Sequence, residues 1–588
     1  MLSAHLSLPF ACILFLQILA SPASAQSLPQ LSSPLGPVVN LGFEAFAGNS
    51  TSPTGEVNGP VMFFGGIRYV QPPLGDLRFR APARLNESVV NGGNVTITDA
   101  RNWGPPCIQQ PAQVGIGDED CLRINIWKPS DAKEGDKLPV LFYIHGGGFF
   151  ERNPESFPLY DLVNQSNPKI VGVNFGYRLT MMGFLAGSAV QQDGNLNAGL
   201  LDQRAALEWV HRNIAKFGGD PDNITIDGES AGGASVVMHM VAFGGSKPAL
   251  FKRAIAQSIG FGPTPTVEES EPTFKRVTEI VGCPSTGPQA MSCLRSASIG
   301  ALVAAINGAG STPAVQGFFA PVIDGPDGIL PQLPSDLIAS GKFHAVDFAG
   351  GHCTNDGRTF VGGTPDDFKT DADIVSRVFQ RFGSRLTNET IQKALALYPA
   401  PGTPGSTFVS EYDRASTITQ DIVFSCMDLF IAQKLQQRGV QNVFTFRFNS
   451  PNPVELAETP FEGVMHTSDL FYLFSENTRT LGSPQVRYFR SAANAGFTFT
   501  PFNITEGALS RETIAFWHSF VTSGNPSTSK EVISPEWSPF ASGGRMVLNQ
   551  PSNLSSMMSA SVMETTPQVE IERCAFWMAL NTTAQTGV

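Results

Sequence analysis

Charged residues are scarce in this sequence, and positive charge is in particular deficit. Only 15% of the 588 residues are charged, and 51 Asp and Glu against 39 Lys and Arg give a net charge of −12. This balance argues against nucleic acid or an anionic membrane surface as a partner. Because 42% of the residues are hydrophobic, the low charge does not indicate disorder, and we expect a globular protein.

An apolar run typical of a targeting segment occurs only at the start of the chain. Residues 10–20 form an apolar core too short to span a bilayer, and Ala23-Ser24-Ala25 follows as a cleavage site, although only His5 stands where Lys or Arg is usual. This pattern predicts a signal peptide over residues 1–25. No later segment predicts a membrane span, and the chain ends without an anchor tail or an ER-retention signal. We therefore expect a secreted, extracellular protein without a transmembrane anchor.

Asparagine sequons fit the same expectation. A single Asn-x-Ser/Thr site can arise by chance, but their number here is typical of a secreted glycoprotein. The candidate glycosylation sites are Asn49, Asn86, Asn94, Asn164, Asn223, Asn388, Asn503, Asn553 and Asn581.

Internal repeats, low-complexity runs and linkers are also lacking. Length alone favours several domains, but nothing separates two independent cores, so residues 26–588 are interpreted as one large domain. No group of Cys, His, Asp or Glu has the spacing of a metal site. We expect neither a metal nor a cofactor.

The stretch that indicates function is residues 228–232, with the sequence Gly-Glu-Ser-Ala-Gly. The β-branched residues at 224–226 predict a strand before it, and the small and apolar residues at 231–241 predict a helix after it. A serine on such a tight strand-to-helix turn stands clear of the sheet, as in a nucleophile elbow. The alternative is a Gly-rich turn with a solvated serine. The flanking elements favour the elbow, so Ser230 is the predicted nucleophile.

Strands and helices alternate around this motif. Continuous apolar runs predict buried strands at 140–144 and 170–174, and apolar residues three and four apart predict a helix at 201–217. Further strands are predicted at 123–127, 254–257, 345–349 and 442–448. This alternation indicates an α/β fold with a mostly parallel sheet, which binds its ligands at the carboxyl ends of the strands.

A serine nucleophile needs a base, and the base needs an orienting carboxylate. In this type of fold the chain order is nucleophile, acid, histidine. His466 follows a predicted strand and lies in a predicted loop, so it is the predicted base. The other histidines precede Ser230, lie in predicted helices or flank a predicted strand: His5, His145, His211, His239, His344, His352 and His518.

Asp356 is the candidate acid. It lies in an Asn-Asp-Gly tripeptide beyond the strand predicted at 345–349. Such a tripeptide alone is more often a turn, but its place after a strand end favours a catalytic role. Asp469, three residues after His466, is the alternative acid.

Three backbone N–H groups are candidates for an oxyanion hole. Negative charge that develops on the attacked carbonyl oxygen needs preorganised donors. Gly147 and Gly148 follow the strand predicted at 140–144, and Ala231 follows the nucleophile. A flexible loop is the alternative reading of the glycines, but three in a row after a buried strand are costly in entropy.

These motifs together resemble the type-B carboxylesterase/lipase family of α/β hydrolases, which includes cholinesterases, fungal lipases and sterol esterases. The resemblance runs from about Gly42 to Met578 and implies the α/β-hydrolase fold and serine-dependent ester hydrolysis through an acyl-enzyme. It rests on Gln-Pro-Pro-Leu-Gly at 71–75, Glu-Asp-Cys-Leu at 119–122, His-Gly-Gly-Gly-Phe at 145–149, Gly-Gly-Asp-Pro at 218–221 and Gly-Val-Met-His at 463–466.

The resemblance also implies roles for single residues. The acid of the family is usually Glu, and Asp356 stands in its place, one methylene shorter. Glu229 is expected to support the triad rather than carry a proton, and Asp469 to be a second supporting residue. Six cysteines alone allow 15 pairings, but the resemblance implies the disulfides Cys107 with Cys121, Cys283 with Cys293, and Cys426 with Cys574. Cys353 is then unpaired, and we expect a buried, inert thiol there.

Two departures from the family bear on the substrate. The loop between Cys107 and Cys121 is short and has no Trp, whereas cholinesterases carry a choline-binding Trp there and related lipases a long mobile lid. Val315 and Gly317 stand at the positions that resemble the acyl-pocket aromatics of cholinesterases. We therefore expect a lipophilic ester with a larger acyl group, not a quaternary ammonium substrate.

The sequence thus predicts a secreted serine esterase that hydrolyses small-molecule esters. One alternative is an interfacial triacylglycerol lipase or sterol esterase that contacts a lipid surface. The other is a non-catalytic, cholinesterase-like adhesion protein, against which the presence of both Ser230 and His466 argues.

Overall fold

A computed structural model describes residues 31–51, 59–89, 95–260, 262–309, 319–474, 502–553 and 556–588. The predicted signal peptide, the sequon at Asn94 and the acyl-pocket positions Val315 and Gly317 lie outside the described residues.

The described residues form thirteen strands. They are β1 (Val38–Asn40), β2 (Ala45–Ala47), β3 (Val61–Arg68), β4 (Ile97–Asp99), β5 (Arg123–Pro129), β6 (Leu138–Ile144), β7 (Val171–Phe175), β8 (Gly219–Glu229), β9 (Arg253–Gln257), β10 (Asp347–Cys353), β11 (Val443–Phe448), β12 (Gly544–Leu548) and β13 (Val562–Thr565).

Nineteen α-helices lie between and after these strands in the same part of the chain. They are α1 (Tyr160–Asn164), α2 (Thr180–Phe184), α3 (Ser188–Asp193), α4 (Ala198–Asn213), α5 (Ala231–Val241), α6 (Val267–Val281), α7 (Gln289–Ser296), α8 (Ile299–Ala309), α9 (Pro334–Ala339), α10 (Asp356–Phe360), α11 (Asp371–Arg377), α12 (Asn388–Leu397), α13 (Glu411–Gln420), α14 (Cys426–Gln437), α15 (Pro453–Glu458), α16 (Ser468–Leu473), α17 (Ile504–Ser523), α18 (Gln568–Trp577) and α19 (Leu580–Thr586).

A ten-stranded sheet forms the centre of the molecule, in the order β13-β12-β11-β10-β9-β8-β6-β7-β5-β3. The seven strands from β12 to β7 in this order pair in parallel, and the strands at both ends pair antiparallel. A second sheet contains β1, β2 and β4. The predicted α/β class with a large, mostly parallel sheet is confirmed, and the fold is that of an α/β hydrolase.

Strand register brings three chain segments to one edge of the sheet. Gly228 near the end of β8 lies opposite Ile144 at the end of β6 and opposite Ala256 near the end of β9. The glycines after β6, the elbow after β8 and the residues after β9 therefore meet at the carboxyl edge, where this class of sheet binds its ligands.

Apolar side chains cover both faces of the sheet. Alternate residues of β6 point to opposite faces, so that Phe142 stacks on Phe175 while Tyr143 contacts Phe157 and Phe474. Each face packs into its own buried apolar cluster. Burial on both faces explains why these strands are continuous apolar runs in the sequence.

The strand predicted at 345–349 is displaced in the structure. β10 runs from Asp347 to Cys353, so that His352 lies within the strand instead of flanking it. Glycine weakens a strand, but a Cβ on Gly351 would lie 2.6 Å from the ring of Phe446 in β11. Gly351 therefore marks a close approach between β10 and β11 rather than a strand end.

One helical stretch is long and apolar enough to cross a membrane, contrary to the expectation from the sequence. α13, a π-helical turn at Asp421–Ser425 and α14 are continuous over Glu411–Gln437. In the most apolar 18-residue segment of this stretch, 83% is buried inside the fold, as in the core helix of a globular protein. Within the described residues, the other candidate is α7 with α8, which are bent by 112°.

Three disulfides are present in the structure, with the pairing implied by the family resemblance. They join Cys107 to Cys121, Cys283 to Cys293 and Cys426 to Cys574. Cys353 is free and buried, and burial raises the pKa of its thiol well above the usual value. A thiol in this state is a poor nucleophile.

Candidate active site

Ser230 lies on a strained turn between β8 and α5. Its φ and ψ are 60° and −124°, a region that residues other than glycine rarely adopt. A Cβ on Gly228 would lie 2.6 Å from the backbone of Gly232. Only glycine allows this approach of strand and helix, and the turn holds the half-exposed Ser230 clear of the sheet, as a nucleophile elbow requires.

Hydrogen bonds from β9 and its following loop hold the elbow. The Ser230 N–H donates to the Gln257 carbonyl at 3.0 Å, and the Gly260 N–H donates to the Ser230 carbonyl at 3.1 Å. Backbone strain persists only where the surrounding structure fixes it. The end of β9 and the segment after it fix the backbone of Ser230 in this way.

The structure brings His466 and Asp356 together. His466 Nδ1 lies 2.7 Å from Asp356 Oδ1, and both side chains are buried. Because a carboxylate only accepts, this contact places the proton of a neutral imidazole on Nδ1 and leaves Nε2 able to accept one. Asp356, predicted in a loop, begins helix α10 shortly after β10 ends.

Ser258 is a site residue that sequence reasoning missed. Its hydroxyl donates to Asp356 Oδ2 at 3.0 Å, and the Cys353 N–H donates to the same oxygen at 2.8 Å. Ser258 is fully buried and has a φ of 42°. The one feature of the sequence that could have indicated Ser258 is its position directly after β9, at the carboxyl edge of the sheet.

Asp469 does not contact His466 through a hydrogen bond, and the structure gives it other partners. Its Oδ2 accepts from the Gln257 amide at 2.6 Å, and its Oδ1 accepts from the Leu470 N–H at 3.0 Å. Burial raises the pKa of Asp469 to about 6, and the Gln257 hydrogen bond opposes the rise. Of these two carboxylates, Asp356 and not Asp469 is hydrogen-bonded to the histidine.

Glu229 contacts the other side of the imidazole. Its Oε1 lies 3.1 Å from His466 Nε2. Burial raises the pKa of Glu229 to about 8 against the opposing effect of His466. Burial alone would lower the pKa of His466, but Glu229 and Asp356 outweigh it and raise that pKa to about 9. The negative charge of Glu229 thus favours the protonated form of His466.

Two aromatic rings confine the imidazole. The ring centroids of Phe360 and Phe424 each lie 4.9 Å from that of His466. Phe424 belongs to the π-helical turn between α13 and α14, a type of irregularity that is frequent at functional sites.

The candidate oxyanion donors lie beside the elbow. Gly147 and Gly148 have φ values of 95° and 60°, so their N–H groups point in directions that other residues rarely allow. Ala231 is the first residue of α5. Within the described residues none of these three N–H groups donates a hydrogen bond, which leaves them able to bind a carbonyl oxygen.

A possible metal cluster in the described residues consists of Asp421, Cys426 and Cys574. The two cysteines are joined in a disulfide, so they supply no thiolate ligand.

Comparison with known proteins identifies the family of this chain. A model of the carboxylesterase family matches residues 36–577. The chain belongs to the carboxylesterase family. It is 32% identical over 466 residues to a secreted triacylglycerol lipase of Gibberella zeae, a match that covers 71% of this chain and 76% of the relative. It is 33% identical over 487 residues to the bile salt-activated lipase of Bos taurus, covering 78% and 76%.

A solved structure supports the same assignment. The crystal structure of Aspergillus niger EstA matches with a TM-score of 0.78 and 32% identity, over 94% of this chain and 99% of that one. As a member of the carboxylesterase family, the chain is a carboxylic ester hydrolase. The expectation of an enzyme is confirmed, and the adhesion alternative is set aside.

Proposed function

We propose that this carboxylesterase is a secreted serine esterase that hydrolyses lipophilic esters through an acyl-enzyme. One observation supports the proposal above all: His466 Nδ1 lies 2.7 Å from Asp356 Oδ1. This contact is at the same edge of the sheet as the strained Ser230. Secretion is supported by the predicted signal peptide and by relatives that are named as secreted lipases.

Acylation begins at the Ser230 hydroxyl. Its oxygen attacks the ester carbonyl carbon while His466 Nε2 takes the hydroxyl proton, and Asp356 stabilises the imidazolium that forms. The carbonyl oxygen becomes an oxyanion and is bound by the N–H groups of Gly147, Gly148 and Ala231. The tetrahedral intermediate collapses, and His466 returns the proton to the departing alcohol.

Deacylation repeats these steps with water. His466 takes a proton from water as its oxygen attacks the acyl carbon, and the second tetrahedral intermediate is bound by the same donors. Its collapse releases the carboxylic acid, and the proton held by His466 returns to the Ser230 oxygen. Every proton is carried by residues of this chain.

Substitution of the nucleophile and the base tests the proposal. Ser230→Ala and His466→Ala should each reduce kcat on a p-nitrophenyl ester by about 10⁴–10⁶-fold, and the double variant should lose little more because the two residues act as a unit. Near-normal turnover by either single variant would overturn the assignment.

An interfacial lipase is the second candidate function. It is favoured by the relatives, several of which are named as lipases. Comparing p-nitrophenyl esters of rising acyl length, each below its solubility limit, separates chain-length preference from a requirement for a lipid surface.

A further inference from the structure

The loop that carries two of the proposed oxyanion donors is strained. This glycine loop, residues 145–152, contains Phe149 and Arg152 at φ values of 65° and 78°, in addition to the two glycines at positive φ. Residues other than glycine adopt such angles at a cost and need surrounding contacts to hold them. The position of the Gly147 and Gly148 N–H groups therefore depends on what holds the loop.

Contacts within the core fix part of the glycine loop. The Phe150 and Glu151 N–H groups donate to the Gly147 carbonyl, each at 3.0 Å, and the Thr180 N–H donates to the Phe149 carbonyl at 2.8 Å. These bonds do not reach the N–H of the strained Arg152.

The disulfide loop, residues 107–121, supplies further contacts. The Gln110 N–H donates to the Phe150 carbonyl at 2.7 Å. The Gln109 side-chain Oε1 accepts from the Arg152 N–H at 2.8 Å. Two consecutive residues of the disulfide loop thus bond the glycine loop on either side of Glu151.

The disulfide loop is itself held by helix α8. Asn307 on α8 accepts from the Ala112 N–H at 2.8 Å and donates to the Ala112 carbonyl at 2.7 Å. Ile108 and Ala112 are buried, whereas Val114 and Ile116 in the far half of the loop are exposed. The half of the loop that contacts the glycine loop is therefore fixed at Cys107 by the disulfide and at Ala112 by Asn307.

We propose that Gln109 is a positioning residue for the oxyanion hole, and that Asn307 fixes the disulfide loop that carries it. The disulfide loop acts as a static support of the glycine loop. This inference rests on the proposed function, because it assumes that Gly147 and Gly148 bind the oxyanion. Neither Gln109 nor Asn307 touches the reacting atoms.

The expected signature is a loss of turnover without a loss of substrate binding. Removal of one oxyanion donor costs about 10²–10³-fold in kcat, and a displaced donor costs less, so Gln109→Leu should lower kcat about 10-fold or more. KM should change little, since the acyl and alcohol groups of the substrate keep their contacts. A trifluoromethyl ketone, whose hemiketal oxygen occupies an oxyanion hole, should bind more weakly by a similar factor.

Gln113→Leu is the matched control. It makes the same substitution four residues away in the same loop, at an exposed side chain, and should leave kcat, KM and inhibitor binding unchanged. Asn307→Leu should lower kcat in the same way, because it releases the disulfide loop that carries Gln109. If Gln109→Leu does not fold, Asn307→Leu decides the proposal by the same measurements.

Wild-type kcat and inhibitor binding in Gln109→Leu, with Ser230→Ala inactive, would refute the positioning role and leave the serine mechanism standing. An equal loss of kcat in Gln113→Leu would also refute it, since the effect would then belong to the loop as a whole. Retained activity in Ser230→Ala would overturn the serine mechanism and this inference together.

Discussion

Asp356 stands where the family resemblance places a Glu, yet its shorter side chain reaches the histidine. Asp356 begins α10 shortly after β10 ends, and its second oxygen accepts hydrogen bonds from the Ser258 hydroxyl and the Cys353 N–H.

Removing the charge of Asp356 should therefore disable the base. Asp356→Asn keeps the shape but offers His466 an amide, which stabilises the wrong tautomer, and kcat should fall by about 10⁴-fold. Asp469→Asn, a matched change in the same buried region, should cost less because Asp469 bonds Gln257 and not His466. Steady-state rates of both variants decide the point. A larger loss in Asp469→Asn would move the acid to that residue.

The acid limb of the pH profile should depend on Glu229. An unperturbed His titrates near pH 6.5, but Glu229 and Asp356 raise the pKa of His466, so activity should be lost at a higher pH than 6.5 as the base becomes protonated. Glu229→Gln removes a negative charge that favours the imidazolium. The pKa of His466 should then fall, and the acid limb of kcat/KM should move to lower pH.

A profile of kcat/KM from pH 4 to pH 10 measures this shift, with Glu279→Gln, at an exposed position of α6, as the control. An acid limb that stays in place in Glu229→Gln, or that moves upward, would contradict the coupling.

How far the site could be predicted differs from residue to residue. Ser230 and His466 could be proposed from the sequence because each belongs to a contiguous motif, and their catalytic roles stay predictions. Ser258 could not, because its bond to Asp356 joins residues 98 positions apart. The contact of Glu229 with the imidazole was not predictable either, because it depends on the rotamers of two buried side chains.

At the scale of elements, the disulfide loop bears on the choice between an esterase and an interfacial lipase. Thirteen residues lie between its cysteines, and Gln109, Gln110 and Ala112 are already bonded to the glycine loop or to α8. A lid must swing across the acyl site, and little free chain is left for such a movement.

We therefore predict hydrolysis without interfacial activation. The rate on a short-chain triglyceride should saturate smoothly as its concentration crosses the solubility limit, because the loop does not need a lipid surface to leave the site. Titration of released acid across that limit measures the response. A sharp rise in rate in the emulsion would favour the interfacial lipase instead.

Strand β10 shows why one element boundary was wrong. Gly350 and Gly351 have the composition of a turn, so the sequence predicts an end at residue 349, whereas the structure continues to Cys353. The reason lies in the neighbouring strand, since Phe446 fills the space beside Gly351. Local sequence does not contain that contact.

At the scale of the whole molecule, the alternation of apolar strands with helices was enough to predict the α/β class. The order of ten strands was not predictable, because it depends on pairings between distant segments. That residues 26–588 form one domain stays a prediction.

Glycan occupancy should follow the exposure of the sequons. Asn86, Asn164, Asn388 and Asn581 are exposed and should carry glycans in protein that is expressed through a secretory pathway. The Asn223 side-chain oxygen accepts from Arg253 at 2.6 Å in a half-buried setting, so a glycan there would have to disturb this bond. Peptide mass spectrometry after enzymatic deglycosylation in heavy-oxygen water reads each site. An occupied Asn223 would contradict the prediction.

An open sheet of ten strands has two outer edges, and each is a possible site of strand addition between molecules. At one edge, β3 has an irregular register between Phe64 and Ile67, and its outer groups at Phe63 and Gly65 bond Asn49 and Ala100. At the other edge, β13 has only four residues and carries Glu564, which Arg447 and Arg545 bind. The outer side of β3 is thus already bonded, and β13 is short and carries a charged residue, both of which limit strand addition. We therefore expect the enzyme to resist edge-to-edge aggregation at high protein concentration.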